Sequence, residues 1–214
     1  MPPGVANFGI GTLEAMAEPL LYYVRHGQTA WNAEGRLQGH LDSELTAAGR
    51  AHADRSAGVL RDLIARDGRK LEDFDYVASP LGRAQTTMQR LRAVLGLDPE
   101  RYRLDARLAE VSYGQWDGFT FPELQLREQE GLTARERDKW NFAPPEGESY
   151  ADLLARVSAW HETVVRDSVV VAHGGTARAL MVHLKITVPE KAPAAVVDQG
   201  VVYLFAPGRI ARYG

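Results

Sequence analysis

The sequence predicts an α/β fold, a three-layer α/β/α sandwich around a mainly parallel sheet, because strand-like and helix-like segments alternate along it. Residues 20–24 and 168–172 are short apolar runs of the kind that form strands buried on both faces. At 214 residues and 45% hydrophobic content, the chain suits one compact domain or one domain with an inserted lid. We assign this domain to residues 19–214 and expect residues 1–18, rich in proline and glycine, to be a flexible extension.

Composition excludes several classes of function. The formal net charge of −3 and a pI near 6.1 show no excess of positive charge of the kind that binds nucleic acid or an anionic membrane. Cysteine is absent, which rules out disulfides, thiolate zinc sites and a cysteine nucleophile. No apolar run reaches the length of a spanning helix, and residues 1–18 lack the lysine or arginine of a secretory signal. We therefore expect a cytoplasmic protein with no nucleic-acid or membrane partner.

The first strand, residues 20–24, ends in Arg25-His26-Gly27. Ligands of open α/β sheets bind outside the carboxyl ends of the strands, where His26 would lie. The tripeptide alone also fits a histidine that merely caps a strand. A helix over residues 47–66 follows, with Thr46 as its N-cap.

The second strand, residues 74–79, is closed by Pro80 and followed at once by a helix. This arrangement puts Arg83 in the first turn of that helix, where free backbone amides and the guanidinium would both favour a phosphate. A surface arginine is the alternative for Arg83 taken singly.

Residues 102–104 form the third predicted strand, and clustered glycines mark residues 108–118 as an ordered loop. This loop carries two acids, Glu110 and Asp117. Residues 119–148 mix apolar and basic side chains, and we interpret them as a helical lid insertion over the pocket. A solvated pair of helices without ligand contact remains the alternative.

The last third of the chain repeats the opening pattern. A helix over residues 149–165 precedes the strand at 168–172, which runs into His173, two glycines and a helix through about Lys185. Two histidines thus follow two strand ends. Residues 200–206 form the last predicted strand, and the remaining tail is uninformative.

Four separated motifs closely resemble the histidine phosphatase superfamily, also called the phosphoglycerate mutase-like family. They are Arg25-His26-Gly27-Gln28-Thr29-x-x-Asn32, Ser79-Pro80-x-x-Arg83-Ala84, Leu108-x-Glu110 ahead of Gly114-x-Trp116-Asp117-Gly118, and His173-Gly174. The resemblance spans residues 20–205 and implies the same sandwich fold. One departure is Gln28, where many members carry glutamate.

The resemblance also implies the site residues. They are the catalytic His26, Glu110, His173, Arg25 and Arg83, and the substrate-binding Asn32, Gln38, Thr29 and Gly174. His26 would be the nucleophile, and Glu110 would protonate the leaving group and then deprotonate water. Arginines beside His26 would keep it neutral, and a protonated or donating His173 would help bind the phosphate. Asp117 would have a structural role.

We accordingly predict a metal-independent, cofactor-free phosphomonoester hydrolase that acts on a small phosphorylated metabolite through phosphohistidine. The 63 positions from Glu110 to His173 are fewer than in cofactor-dependent mutases, and residues 113–118 look more like broad-specificity phosphatases, fructose-2,6-bisphosphatases and alpha-ribazole phosphatases. A cofactor-dependent phosphoglycerate mutase and a non-catalytic phosphate-binding relative are the alternatives. A metallohydrolase is disfavoured because no His-x-x-x-His occurs and arginines flank both histidine motifs. A homodimer is left open.

Overall fold

The computed structural model describes residues 19–214, so the extension predicted for residues 1–18 lies outside it. Its strands are β1 Leu21–Arg25, β2 Asp75–Ala78, β3 Arg103–Leu104, β4 Ser168–Ala172, β5 Val202–Ala206 and β6 Arg209–Tyr213. They form one sheet in the order β3-β2-β4-β1-β5-β6. The first four of these are parallel, and β5 and β6 are antiparallel to their neighbours. The mainly parallel sheet is confirmed.

Seven α-helices accompany the sheet within the described chain. They are α1 Ala30–Glu34, α2 Ala47–Arg66, α3 Gly82–Val94, α4 Phe121–Arg127, α5 Gln129–Arg137, α6 Tyr150–His161 and α7 Gly174–His183. None of the helices in residues 19–214 combines the length and apolar character that a membrane crossing requires.

Alternation of side chains along the central strands builds a core on each face of the sheet. On β1, Leu21 and Tyr23 belong to a buried cluster with α6 and α7. The intervening Tyr22 and Val24 belong to a second cluster with α2 and α3. Both faces of β1 are covered, which explains the run of large buried side chains from Leu21 to Val24 before the strand ends at Arg25.

Two elements were missed by sequence reasoning. The strand β6 pairs with β5 through a hairpin at Pro207-Gly208, where Gly208 has φ 69°. Its sequence, Arg-Ile-Ala-Arg-Tyr, is mostly half-exposed or exposed, as an edge strand allows, and therefore shows no apolar run. The helix α1 has only five residues and no buried one, so it leaves no periodic pattern.

Close backbone approach fixes the turn after β1. A Cβ atom on Gly27 would collide with the carbonyl oxygen of Gly49 in α2. The amide of Gly27 donates to the hydroxyl of Thr87 in α3 at 3.0 Å. The residue after His26 is therefore anchored to both helices of one layer.

The stretch predicted as a helical insertion, residues 119–148, contains α4 and α5. Leu124 and Leu132 from these helices pack against Trp116 in a small separate core. The insertion is thus attached to the Glu110 loop, which contains Trp116, and its action as a lid stays a prediction.

Candidate active site

The ends of two adjacent strands bring His26 and His173 together. β1 and β4 are paired with Arg25 opposite Ala172, and the amide of His26 donates to the Ala172 carbonyl at 2.9 Å. The two imidazole centroids are 5.1 Å apart. The two histidines thus lie together at the carboxyl ends of two central strands, as the sequence predicts.

His26 is held in one tautomer. Its side chain is buried, and Nδ1 lies 2.8 Å from the Gly27 carbonyl, which can only accept, so Nδ1 carries the proton. Nε2 therefore carries the lone pair, and it has no hydrogen-bond partner within residues 19–214. Burial, followed by the charges of Arg83 and Arg25, holds the pKa of His26 well below its usual range. The imidazole is neutral and its free nitrogen is a competent nucleophile.

Arg83 lies in the first turn of α3 and is buried. Its guanidinium donates to the carbonyls of Gly39 and Leu41 at 2.8 and 2.7 Å and to the carboxylate of Asp42 at 2.8 Å. The same carboxylate accepts from the Gly82 amide at 2.7 Å. The expectation of free helix amides for phosphate is therefore wrong at α3, because Asp42 caps this helix and only the side chain of Arg83 remains to bind an anion.

Three buried polar atoms near the carboxyl ends of the central strands have no hydrogen-bond partner in the described chain. They are Nε of Arg25, Nε of Arg83 and Nδ1 of His173. Unsatisfied buried groups are rare in folded proteins and each needs an explanation. Both arginines also act electrostatically on both histidines, so the four side chains share one locality. Two of the three atoms are guanidinium donors, a group that binds anions.

His173 is fully buried and is held at one of its two ring nitrogens. Its Nε2 lies 2.7 Å from the hydroxyl of Ser79, which itself accepts from the Leu81 amide at 3.3 Å. The Ser79 hydroxyl hydrogen can then point to Nε2, which puts the ring proton on Nδ1, the atom without a partner. Burial, then Arg83 and His26, lower the pKa of His173 well below its usual range. Of the two predicted forms, the structure favours the neutral, donating one.

Glu110 lies on a loop that packs against the first turn of α7, and its charge acts on Arg25. Its two carboxylate oxygens accept from the amides of Val111 at 2.9 Å and Gly175 at 3.1 Å. A Cβ atom on Gly175 would collide with Oε1 of Glu110, so this glycine makes the close approach possible. Gly174, the other predicted contact here, is the buried first residue of α7.

Asp117, the rival acid, accepts hydrogen bonds from the backbone amides of Tyr113 and His40 at 3.2 and 3.3 Å. These bonds tie two loops together, which supports the structural role expected of it.

Sequence reasoning missed the residues that hold the Glu110 loop. Arg156 in α6 donates to the carbonyls of Arg107, Ala109 and Glu110 at 2.8, 2.6 and 2.8 Å. It also makes a two-point ion pair with Glu148, at 2.9 and 2.8 Å. The sequence places Arg156 in a predicted helix and Glu148 at the end of the predicted insertion, and only the fold reveals that they meet this loop.

The remaining predicted contacts surround α1 and the loop after it. Thr29 is fully buried and caps α1 in a reciprocal pair with Asn32. The Oδ1 of Asn32 also accepts from Gln199 at 3.0 Å, and the Oε1 of Gln38 accepts from Ser43 at 3.2 Å. The side-chain amide nitrogens of Asn32 and Gln38 have no hydrogen-bond partner within residues 19–214 and remain available as donors. Substrate contacts by these residues stay predictions.

Comparisons with known proteins agree with this geometry. A 2,3-bisphosphoglycerate-dependent phosphoglycerate mutase of Azorhizobium caulinodans is 33% identical over 196 residues, which cover 88% of this chain and 92% of the relative. A glucosyl-3-phosphoglycerate phosphatase of Mycobacterium tuberculosis is 34% identical over 173 residues, or 75% and 72% of the two chains. A solved structure of mycobacterial glucosyl-3-phosphoglycerate phosphatase with VO3 matches at 29% identity and a TM-score of 0.73, covering 91% of this chain and 96% of that one.

The sequence profile described as histidine phosphatase superfamily (branch 1) matches residues 21–207, which include all the motifs named above. The chain belongs to the histidine phosphatase superfamily.

Proposed function

We propose that this protein hydrolyses phosphomonoesters of a small metabolite, without a metal, through a phosphohistidine at His26. The observation that carries the proposal is the neutral imidazole with a free Nε2 beside three unpartnered buried donors, on Arg25, Arg83 and His173. A dianionic phosphoryl group needs both a nucleophile and cationic donors around its oxygens.

In the first step, Nε2 of His26 attacks phosphorus and the bond from phosphorus to the ester oxygen breaks. The three donors stabilise charge on the equatorial oxygens. Glu110 donates its proton to the departing alkoxide, which leaves as an alcohol.

In the second step, water attacks the phosphohistidine in line and the phosphorus–nitrogen bond breaks. Glu110 accepts the proton of that water, so the acid consumed in the first step is restored. His26 is returned with its lone pair, and inorganic phosphate leaves.

Phosphoglycerate mutase activity is the second candidate function, because a mutase is among the relatives at 33% identity. A mutase must hold a bisphosphorylated intermediate, which requires further cations near the site. Among the lid cations, Lys139 forms an ion pair with Glu136, and 42% of the Lys139 side chain is exposed. Arg127 and Arg137 are also exposed. Only the Arg135 side chain, at 16% exposure, is well enclosed among the four. We favour hydrolysis because this lid provides one enclosed cation.

The test is to incubate the protein with 3-phosphoglycerate, with and without 2,3-bisphosphoglycerate, and to follow 2-phosphoglycerate beside inorganic phosphate. A panel of other phosphorylated metabolites is run in parallel, with and without exhaustive chelation. We expect phosphate release that survives chelation and exceeds isomerisation. Isomerisation faster than phosphate release by about a hundredfold, near 2.7 kcal/mol in barrier height, would establish the mutase instead.

A further inference from the structure

The side chain of Asn32, a predicted phosphate contact, is held in one orientation. Its Oδ1 accepts a hydrogen bond from the backbone amide of Thr29 at 3.3 Å and another from Nε2 of Gln199 at 3.0 Å. A backbone N–H only donates, so the atom that faces Thr29 is the amide oxygen. The side-chain nitrogen Nδ2 keeps both hydrogens and has no hydrogen-bond partner within residues 19–214. The free end of the Asn32 amide is therefore a donor.

Gln199 connects Asn32 to the body of the fold. Asn32 lies in α1, a five-residue helix without a buried residue, so packing does little to fix its position. Gln199 lies 167 positions further along the chain, shortly before β5. Of the two bonds to Oδ1, the bond from Gln199 is the shorter, and it comes from outside the capped turn of α1. Loss of Gln199 would leave the Asn32 amide with a single, long hydrogen bond.

The segment that contains Gln199 also holds Arg25. The Val197 carbonyl accepts from Nη1 of Arg25 at 2.8 Å, and the Val197 side chain is buried in the core. The Asp198 amide donates to the Tyr203 hydroxyl of β5 at 2.7 Å. The backbone on the amino side of Gln199 is therefore fixed at two successive residues. This one segment thus supports two of the predicted phosphate contacts.

We propose that Gln199 is a positioning residue for phosphate binding, because it holds Oδ1 of Asn32 and thereby turns Nδ2 toward the phosphoryl group. This inference rests on the proposed function, which puts that group at Nε2 of His26. The oxygens of a phosphate dianion only accept hydrogen bonds, so the orientation of the amide decides whether the contact attracts or repels. A donating Nδ2 attracts the phosphate, whereas a flipped amide would present Oδ1 and repel it.

The affinity of the full chain for inorganic phosphate, measured by calorimetry, tests the inference. Gln199→Leu removes the donor, and we expect it to weaken binding by about 3- to 10-fold, the range of one hydrogen bond. Gln199→Glu should weaken binding further, because a carboxylate only accepts and would draw Nδ2 away from the phosphate. Gln89→Leu is the matched control. It removes a hydrogen bond from Nε2 to Glu100 at 3.2 Å and should retain the wild-type affinity.

A double variant separates positioning from a general structural role. In an Asn32→Ala background, Gln199 has no amide left to hold, so adding Gln199→Leu should change phosphate affinity by less than about twofold. A residue that only supports the fold would cause the same loss in both backgrounds. In turnover, Gln199→Leu should lower kcat/KM equally for alkyl and nitrophenyl phosphates, since Glu110 is untouched.

Three results would overturn the inference: wild-type phosphate affinity in Gln199→Leu, an equal loss in both Asn32 backgrounds, and no binding of phosphate by the wild-type chain. The proposed function has its own readout, because these affinities require no turnover. A chain that binds phosphate with the expected coupling and yet hydrolyses no substrate would count against hydrolysis and not against Gln199.

Discussion

The two ends of this active site are built in different ways. At the phosphate end, Arg25, His26 and His173 are placed by the backbones of adjacent central strands, and Arg83 by the first turn of a helix. At the acid end, Glu110 lies on a loop held by side chains of other segments, chiefly Arg156 and Glu148. Strand ends within a buried sheet are rigid, whereas a loop held by side chains can be altered without disturbing the core. The phosphate end therefore suits an invariant reaction, and the acid end suits variation of the substrate.

The largest effect should come from the phosphate end. His26→Asn removes the nucleophile, so kcat on every phosphomonoester should fall by at least about 10⁴-fold. Circular dichroism should show an unchanged fold, since asparagine is smaller than the histidine that it replaces. Activity within tenfold of wild type would show that the phosphoryl group goes to another acceptor.

Loss of the acid should depend on the leaving group. Glu110→Gln should lower alkyl phosphate hydrolysis by about 10²- to 10⁴-fold, and p-nitrophenyl phosphate hydrolysis far less, because nitrophenolate leaves without a proton. Asp117→Asn is the matched control and should show no such selectivity. Equal losses on both substrates in the Glu110 variant would move the acid to another residue.

Loss of Arg156, which holds the Glu110 loop, should produce a smaller change in leaving-group dependence than loss of Glu110 itself. Arg156→Met leaves the Glu110 carbonyl without its donor and Glu148 without its ion pair, so the loop should shift and alkyl phosphate hydrolysis should fall more than nitrophenyl phosphate hydrolysis. The free energy of unfolding should decrease by about 1–3 kcal/mol. Comparison with Glu148→Gln and the double variant measures the coupling of the pair. If stability decreases without a change in leaving-group dependence, Arg156 supports only the fold.

The smallest effect concerns pH. Burial lowers the pKa of His26 and His173 in the folded state, so below pH 6.5 the unfolded chain binds more protons than the folded one. The stabilisation that the two neutral histidines give the folded state is complete above pH 6.5. It is lost as the pH falls, by at most about 2 kcal/mol per histidine between pH 6.5 and 5. Urea unfolding of wild type and His173→Asn across this range should show a weaker pH dependence in the variant. Identical slopes would mean that His173 is protonated in the folded state.

The same comparison explains what could be predicted from the sequence. The phosphate-end residues follow apolar runs or lie close to a proline, and these local patterns are enough to place His26, His173 and Arg83 beyond the ends of strands. The acid end depends on contacts between distant residues: Arg156 meets Glu110 from 46 positions away. No local pattern encodes such a contact. The capping of α3 by Asp42, 40 positions before Gly82, was missed for the same reason.

Trapping the phosphorylated intermediate identifies the residue that receives the phosphoryl group, which we propose to be His26. Wild type is mixed with ³²P-labelled substrate and quenched within milliseconds with a denaturant at neutral pH. Portions are treated with acid, with alkali or with neither, and the untreated portion is digested for peptide mapping. We expect label that survives alkali, is released by acid, and maps to the peptide containing His26, with none in His26→Asn. Label on serine, aspartate or another histidine would contradict phosphoryl transfer to His26.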